Sequence, residues 1–92
     1  MYLTITSQII SLGVTPSKLP PVPLEGRKYV TIQNIGGVFV YIGGTTVTAN
    51  TAGTGGFQLL PKGTWSELYT DAVNVYGVVT TGSSQVYIEE GK

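Results

Sequence analysis

The sequence predicts an all-β fold: a compact antiparallel β-sandwich or small barrel of about seven short strands, with an extended N-terminal segment. Two observations support this prediction. Val, Ile, Thr and Tyr, which suit the pleated and half-buried surface of a strand, alternate with polar residues along several short runs. Short clusters that contain Gly, Pro, Asn or Ser separate these runs, as is typical of turns between strands.

The strands are expected in a series of short runs. In chain order these are LTITSQII, KYVTIQN, VFVYI, FQLL, TWSELYT, VNVYGVV and QVYIE. The second, third, sixth and seventh runs alternate with a period of two, which places Val and Ile on one face of each strand. A short helix over residues 65–72 is the competing interpretation of the fifth run.

The connections between these runs carry turn signals. Gly36 and Gly37 are expected to supply the positive φ angles of a tight hairpin. The segment TPSKLPPVPLEG, residues 15–26, contains four of the five prolines. Because proline donates no backbone hydrogen bond, this segment is expected to run extended over an edge or an end of the sandwich. Its Pro20–Pro23 spacing also matches the PxxP motif that binds aromatic grooves, although a covering connection is the favoured interpretation.

The domain organisation is expected to be simple. A chain of 92 residues without an internal repeat or a change of composition is expected to form a single domain over residues 1–92. Residues 1–23 are expected to hold an N-terminal strand or arm and the Pro-rich connection, and residues 24–92 the sandwich core. The opening MYLTITSQIISLG lacks a basic region and a long apolar run, so no signal peptide is expected.

The composition argues against several functions. The 5 Lys and Arg residues balance 5 Asp and Glu residues, so the net charge is zero and no basic surface is available for nucleic acid. No apolar run reaches the length of a membrane-spanning helix. The chain contains neither Cys nor His, which removes disulfides, thiolate chemistry and the commonest general base and zinc ligand. Zero net charge also does little to keep copies apart, which favours self-association, with a soluble monomer as the alternative.

The stretch IGGTTVTANTAGTGG, residues 42–56, contains five glycines and raises the question of a phosphate-binding loop. Such a loop requires Lys and Ser or Thr directly after its last glycine, whereas Phe57 follows here. The dinucleotide fingerprint fails as well, because Gln58 stands where its third glycine is needed. We therefore expect a strand end and a polar connecting loop. Thr51 and Thr54 are candidate partner contacts in this loop, and a passive loop is the alternative.

No catalytic, cofactor-binding or metal-binding residue is predicted. The serines have no His to activate them. Glu67 and Asp71 are close enough in sequence to form the carboxylate pair that glycoside hydrolysis requires, but surface charges are the favoured interpretation. Asp and Asn do not alternate as they do in a calcium-binding loop. The chain is therefore expected not to be an enzyme.

Aromatic residues are the most informative feature of the predicted strands. Those that lie opposite the Val and Ile face are Tyr29, Phe39, Tyr41, Tyr76 and Tyr87. If Val and Ile form the core, these rings lie outside and form a surface for a partner, since Tyr brings contact area and a hydroxyl group. If both faces are buried, the rings belong to the core. Trp65 is either a platform for sugar stacking or part of the core, and the core is favoured.

A resemblance to a known family covers residues 24–90. It rests on five motifs, which are LEGRK (Leu24–Lys28), VTIQNIG (Val30–Gly36), VYIGG (Val40–Gly44), LPKG (Leu60–Gly63) and the pair Val86–Tyr87. In this order the motifs resemble those of small β-sandwich virion accessory proteins of tailed bacteriophages. Members of this class include capsid decoration or cement proteins and head-fibre or neck-associated modules.

The resemblance implies a non-enzymatic structural role in the virion for a protein made in the host cytoplasm. It implies that the chain binds a major capsid or neck protein and its own copies, with a trimer favoured. No catalytic residue is carried over from the family. The competing hypothesis is a carbohydrate-binding or host-surface adhesion module, in which Tyr29, Tyr41, Tyr76, Tyr87 or the loop over residues 45–56 binds a glycan.

Overall fold

Two antiparallel sheets of four strands each pack face to face in the computed structural model, which describes residues 4–48 and 56–92. The strands are β1 (Ile5–Leu12), β2 (Ser17–Lys18), β3 (Tyr29–Asn34), β4 (Val40–Gly43), β5 (Phe57–Leu59), β6 (Thr64–Glu67), β7 (Tyr76–Val79) and β8 (Ser84–Gly91). The first sheet has the order β1-β8-β3-β6 and the second has the order β2-β7-β4-β5. The predicted all-β sandwich is therefore confirmed.

The structure resolves the alternatives that the sequence left open for the strands. Each expected run contains a strand, although β4, β6 and β7 cover only part of VFVYI, TWSELYT and VNVYGVV, and the described residues contain one further strand, β2. The helical alternative for residues 65–72 is wrong, because β6 occupies the start of that range and no helix is present in the described part of the chain. The barrel alternative is wrong as well, since the strands form two separate sheets.

The period-two alternation places Val and Ile between the two sheets. Ile32 and Ile88 are opposed in the first sheet, and both are fully buried. Val40 and Val79 are opposed in the second sheet and are buried in the same way. The central core consists of Leu12, Leu19, Val30, Ile32, Val40, Ile42, Leu59, Val75, Val79, Val86 and Ile88. Trp65 is half-buried and packs against this core, as the favoured interpretation predicted.

The Pro-rich segment passes from one sheet to the other. It first forms β2, an edge strand of two residues that pairs with β7, and the Leu19 N–H then donates to the carbonyl oxygen of Val75 at 2.7 Å. Leu19 and Pro20 are buried, and the chain continues to β3 in the opposite sheet. Because Pro20 is buried, the Pro20–Pro23 pair does not present an exposed docking motif.

Asn34 joins the two sheets at one end of the core. Its Nδ2 donates to the carbonyl oxygens of Val38 at 2.7 Å and Leu59 at 3.0 Å. Its Oδ1 accepts from the Gly36 N–H at 3.1 Å and from the Ser84 hydroxyl at 2.9 Å. The buried amide therefore has partners for both of its polar atoms, which removes the free-energy cost of leaving it unpaired.

The role of Gly36 differs from the one expected. The positive φ angles of described glycines occur at Gly26 and Gly82, so the prediction of positive φ at Gly36 and Gly37 is wrong. Gly36 is required for a different reason, because a Cβ atom there would overlap the hydroxyl group of Ser84. The glycine allows the backbone to approach the Asn34 network closely.

A buried ion pair closes the opposite end of the first sheet. Arg27 and Glu90 are 1% and 2% exposed, and Arg27 Nη1 donates to Glu90 Oε2 at 2.8 Å. The other guanidinium nitrogens donate to the carbonyl oxygens of Tyr69 at 3.1 Å and Val73 at 2.6 Å. The Leu24 N–H donates to the same carboxylate at 3.0 Å. The pair therefore ties β8 to the segments before β3 and before β7.

We expect the substitution Glu90→Gln to destabilise the fold by about 3–5 kcal/mol, because it leaves a buried guanidinium without its counter-charge. The matched control is Glu89→Gln on the neighbouring, outward-facing position, which should cost less than about 1 kcal/mol. Urea denaturation of both variants at one protein concentration measures the two values. Equal costs for the two substitutions would show that the buried pair contributes no more than a surface carboxylate.

Candidate functional site

The five aromatic residues predicted to contact a partner do not form one surface. Tyr29 and Tyr87 belong to the first sheet, and Tyr41 and Tyr76 belong to the second. Each of them alternates with inward Val and Ile positions, so the rings lie on the two opposite outer faces of the sandwich. Phe39 precedes β4 and is exposed.

The outer face of the second sheet is covered by its own chain. Tyr41 is 6% exposed and packs with Val47 and Val78, and Tyr76 is partly buried against them. The Tyr41 hydroxyl accepts from Gln58 Nε2 at 3.0 Å. Tyr41 therefore has its ring inside a small second cluster and does not offer it to a partner.

Two glycines of the stretch over residues 42–56 allow Val47 to reach this position. A Cβ atom on Gly43 would lie 2.9 Å from Val47 Cγ2, and one on Gly56 would lie 2.5 Å from the same atom. The close approach of a side chain explains these glycines without a phosphate ligand. The predicted contact residues Thr51 and Thr54 lie outside the described residues.

The outer face of the first sheet is the candidate functional site. Opposed residues of adjacent strands share a face, so the register defines its members. They are Ile5, Ser7, Ile9 and Ser11 of β1, Gln85, Tyr87, Glu89 and Gly91 of β8, Tyr29, Thr31 and Gln33 of β3, and Thr64 and Ser66 of β6. This surface is called the docking face below.

Two tyrosines hold the carboxylate at the middle of the docking face. The Tyr29 hydroxyl donates to Glu89 Oε2 at 2.8 Å, and the Tyr87 hydroxyl donates to Glu89 Oε1 at 3.4 Å. The ring of Tyr29 lies directly over Gly91, where a Cβ atom would overlap it. The hydroxyl groups of Thr31 and Ser66 form one hydrogen bond with each other on the same face. The polar groups on the face therefore hold one another in place.

The chemistry of the docking face suits contact with another macromolecule. Glu89 is the single charged residue among its members, and hydroxyl groups make up most of its polar atoms. Ile5 and Ile9 are 61% and 58% exposed, and Leu68, directly after β6, is also exposed. Exposed aliphatic residues next to half-buried tyrosines are typical of surfaces that bind proteins.

Glu67 and Asp71, which the sequence offered as a possible carboxylate pair, are surface residues. Asp71 Oδ2 accepts from the Gly26 N–H at 2.8 Å, which gives it a structural role. The described ranges contain no group of acidic side chains that is arranged to hold a metal ion. They also contain no helix that is long and apolar enough to cross a membrane.

Comparisons with protein-family models, curated proteins and solved structures gave no match to this chain. The functional argument therefore starts from the geometry of the docking face.

Sequence reasoning found the tyrosines of the docking face but missed Ile5, Ile9 and Glu89. The isoleucines were expected in a strand, but the alternation within β1 does not show which of its faces is the outer one; the pairing with β8, which opposes Ile9 to Tyr87, decides that. The alternation of Val86 and Ile88 with Tyr87 and Glu89 predicts that Glu89 faces outward, but it does not show that two tyrosine hydroxyl groups would hold this carboxylate. The signal that was available is the Tyr87-x-Glu89 spacing, which places both side chains on one face.

We expect Gly91→Ala to displace the ring of Tyr29 from β8, because the added methyl group occupies the same space. The change should break the Tyr29–Glu89 hydrogen bond while costing little stability, since the ring can swing outward. The ring-current shift that Tyr29 imposes on residue 91 in the NMR spectrum measures the displacement. Gly13→Ala is the control, because a Cβ atom there meets nothing within 4 Å. An unchanged Tyr29 ring in Gly91→Ala would contradict the described packing.

Proposed function

We propose that this chain is a non-enzymatic structural protein of a virion that binds a capsid or neck surface and other copies of itself. The observation that carries the proposal is the docking face, a nearly uncharged sheet surface with exposed Ile5 and Ile9 beside half-buried Tyr29 and Tyr87. The resemblance to accessory proteins of tailed bacteriophages supports the virion as the location.

The contrast between the two sheets supports the choice of this face. Val47 covers Tyr41 on the second sheet, whereas the described residues place no comparable side chain over Ile5 and Ile9 on the first. A partner that covered the docking face would bury apolar area there, and the hydroxyl groups would supply hydrogen bonds at little conformational cost. The proposed partner is a major capsid or neck protein, with a trimer of this chain favoured by the resemblance.

The first experiment is quantitative peptide mass spectrometry across a density gradient of lysate from the natural source. A constant ratio of this chain to the major shell protein through the particle peak supports the proposal, and the ratio distinguishes shell, vertex and neck positions. If the chain stays at the top of the gradient, away from every particle, the proposal is wrong.

We expect Thr31→Lys to weaken rebinding of the purified chain to particles stripped of it by roughly tenfold or more, because a long charged side chain would project into the contact and would lose its water on binding. Thr80→Lys, on an exposed turn position, is the matched control and should bind like the unmodified chain. Equal binding by both lysine variants would exclude the docking face as the contact.

Binding of the unmodified chain to the particles should change little between roughly 50 and 200 mM salt, since the docking face has no cationic residue.

The alternative function is a carbohydrate-binding or host-surface adhesion module. The observation that favours it is the pair of Tyr29 and Tyr87 beside Glu89 and Gln33, since sugar sites combine aromatic rings with polar side chains that have fixed positions. A glycan array that gives reproducible binding, lost in Tyr87→Ala and kept in Tyr76→Ala, would support this function. An array without binding would exclude it for the glycans that were tested.

A further inference from the structure

The free edge of β1 differs from the other edges of the sandwich. The edge strands β6, β2 and β5 contain four, two and three residues, whereas β1 contains eight. One side of β1 pairs with β8 along its whole length, and in the described part of the chain no strand pairs with the other side. The structure therefore exposes one long row of backbone hydrogen-bonding groups.

The register identifies which backbone groups face outward. Thr4 and Lys92 exchange two hydrogen bonds of 2.9 Å, so they form a hydrogen-bonded pair of the ladder between β1 and β8. In an antiparallel ladder such pairs alternate with pairs whose backbone groups point away. The N–H and C=O groups of Ile5, Ser7 and Ile9 therefore point to the free edge.

The usual protections of an edge strand are missing from β1. Its sequence ITSQIISL contains neither a charged residue nor proline, which are common devices against pairing with another chain. Residues 5–9 are exposed on both faces of the strand, so the second sheet does not block an approaching strand. The zero net charge of the chain adds no general repulsion between copies.

We infer that the free edge of β1 pairs with β1 of a second copy of this chain, antiparallel and about a two-fold axis at Ser7. The pairing joins two four-stranded sheets into one continuous eight-stranded sheet. This inference rests on the self-association in the proposed function and specifies the surface that mediates it. Because a two-fold contact closes after two copies, it gives a dimer, whereas the resemblance favours a trimer.

The side chains of β1 select the register centred on Ser7. In this register Ile5 faces Ile9 of the second copy, and the reverse pair forms by symmetry. A register centred on Gln8 would place Ile5 opposite Ser11 and Ile9 opposite Ser7. A register centred on Ile9 would place Ile5 opposite Gly13. Paired β-branched residues stabilise adjacent strands more than either alternative. Every outward backbone group of Ile5, Ser7 and Ile9 then has a partner.

The same register extends the docking face across the dimer. Within one copy, Ile9 is opposed to Tyr87, and Ile5 is opposed to Gly91 beneath the ring of Tyr29. The row from Tyr87 through Ile9 therefore continues into Ile5 and Tyr29 of the second copy. Pairing places the two docking faces side by side on one surface.

The test uses opposite charges at the two-fold axis, where residue 7 faces its own copy. Ser7→Lys and Ser7→Glu should each raise the dimer dissociation constant roughly fivefold or more, because like charges directly opposite each other destabilise strand pairs. An equal mixture of the two variants should restore dimers. Analytical ultracentrifugation over a concentration series measures all three samples. Ser83→Lys, on an exposed turn, is the control and should dimerise like the unmodified chain.

A crosslink tests the register independently. Ser7→Cys should form a disulfide-linked dimer on mild oxidation, because Cα atoms of a hydrogen-bonded pair lie about 5.5 Å apart, which suits a disulfide. The chain contains no other cysteine, so the product is unambiguous. Ser83→Cys is the control and should give little covalent dimer under the same conditions.

The outcomes separate this inference from the proposed function. A chain that stays monomeric at every concentration, or a Ser7→Lys and Ser7→Glu mixture that fails to restore dimers, overturns the pairing of β1. A folded dimer that responds to the Ser7 substitutions but never binds particles supports the pairing and refutes the proposed function. Particle binding by an unmodified chain that sediments as a monomer at every concentration supports the capsid or neck contact of the proposed function and refutes the pairing.

Discussion

The buried ion pair between Arg27 and Glu90 fixes the arrangement on which the docking face depends. Arg27 lies two residues before the start of β3, and Glu90 lies near the end of β8. Their contact therefore fixes how these two strands align. A shift of one residue would turn Glu90 outward and Glu89 inward, because side chains alternate along a strand. The inward position of Glu90 therefore determines that Glu89 and Gly91 face outward beneath Tyr29.

The ion pair is better understood as a device for register than as a source of stability. Removing two charges from water carries a large free-energy cost, and well-packed apolar residues often replace such a pair without loss. Arg27 offsets part of this cost through its bonds to the carbonyl oxygens of Tyr69 and Val73. We interpret the arrangement as selecting one alignment of β3 and β8 among several that apolar packing alone would allow.

Much of the fold could be predicted from the sequence because alternation is a local property. Four of the seven strand runs followed from the spacing of Val and Ile, and the structure contains a strand within each of the seven. β2 was missed because its two residues show no periodicity and are in a strand only through their pairing with β7. The need for Gly36 was also misassigned, since Ser84, which crowds it, lies far away in sequence.

The candidate site was harder to predict because it depends on strand order. Alternation showed that Tyr29, Tyr41 and Tyr87 face away from the core, but not that Tyr41 belongs to the other sheet. Its burial requires Val47 to fold back from the following turn, and that contact leaves no periodic signal. The exposure of Ile5 likewise depends on the pairing of β1 with β8, which places Ile5 on the outer face opposite Gly91.

The dimer through β1 also explains how a chain with a long, unprotected edge strand would avoid unlimited association. In the joined sheet the two β1 strands lie at the centre, and the strands left at its edges are the two copies of β6. β6 has four residues and ends in the exposed Glu67, so a further strand would find a short ladder and a negative charge. The two-fold contact covers the long, uncharged edge of β1. The edges that remain exposed are those of β6, which pair poorly with a further strand. Growth of the sheet then stops at two copies, and the paired docking faces remain available to a partner.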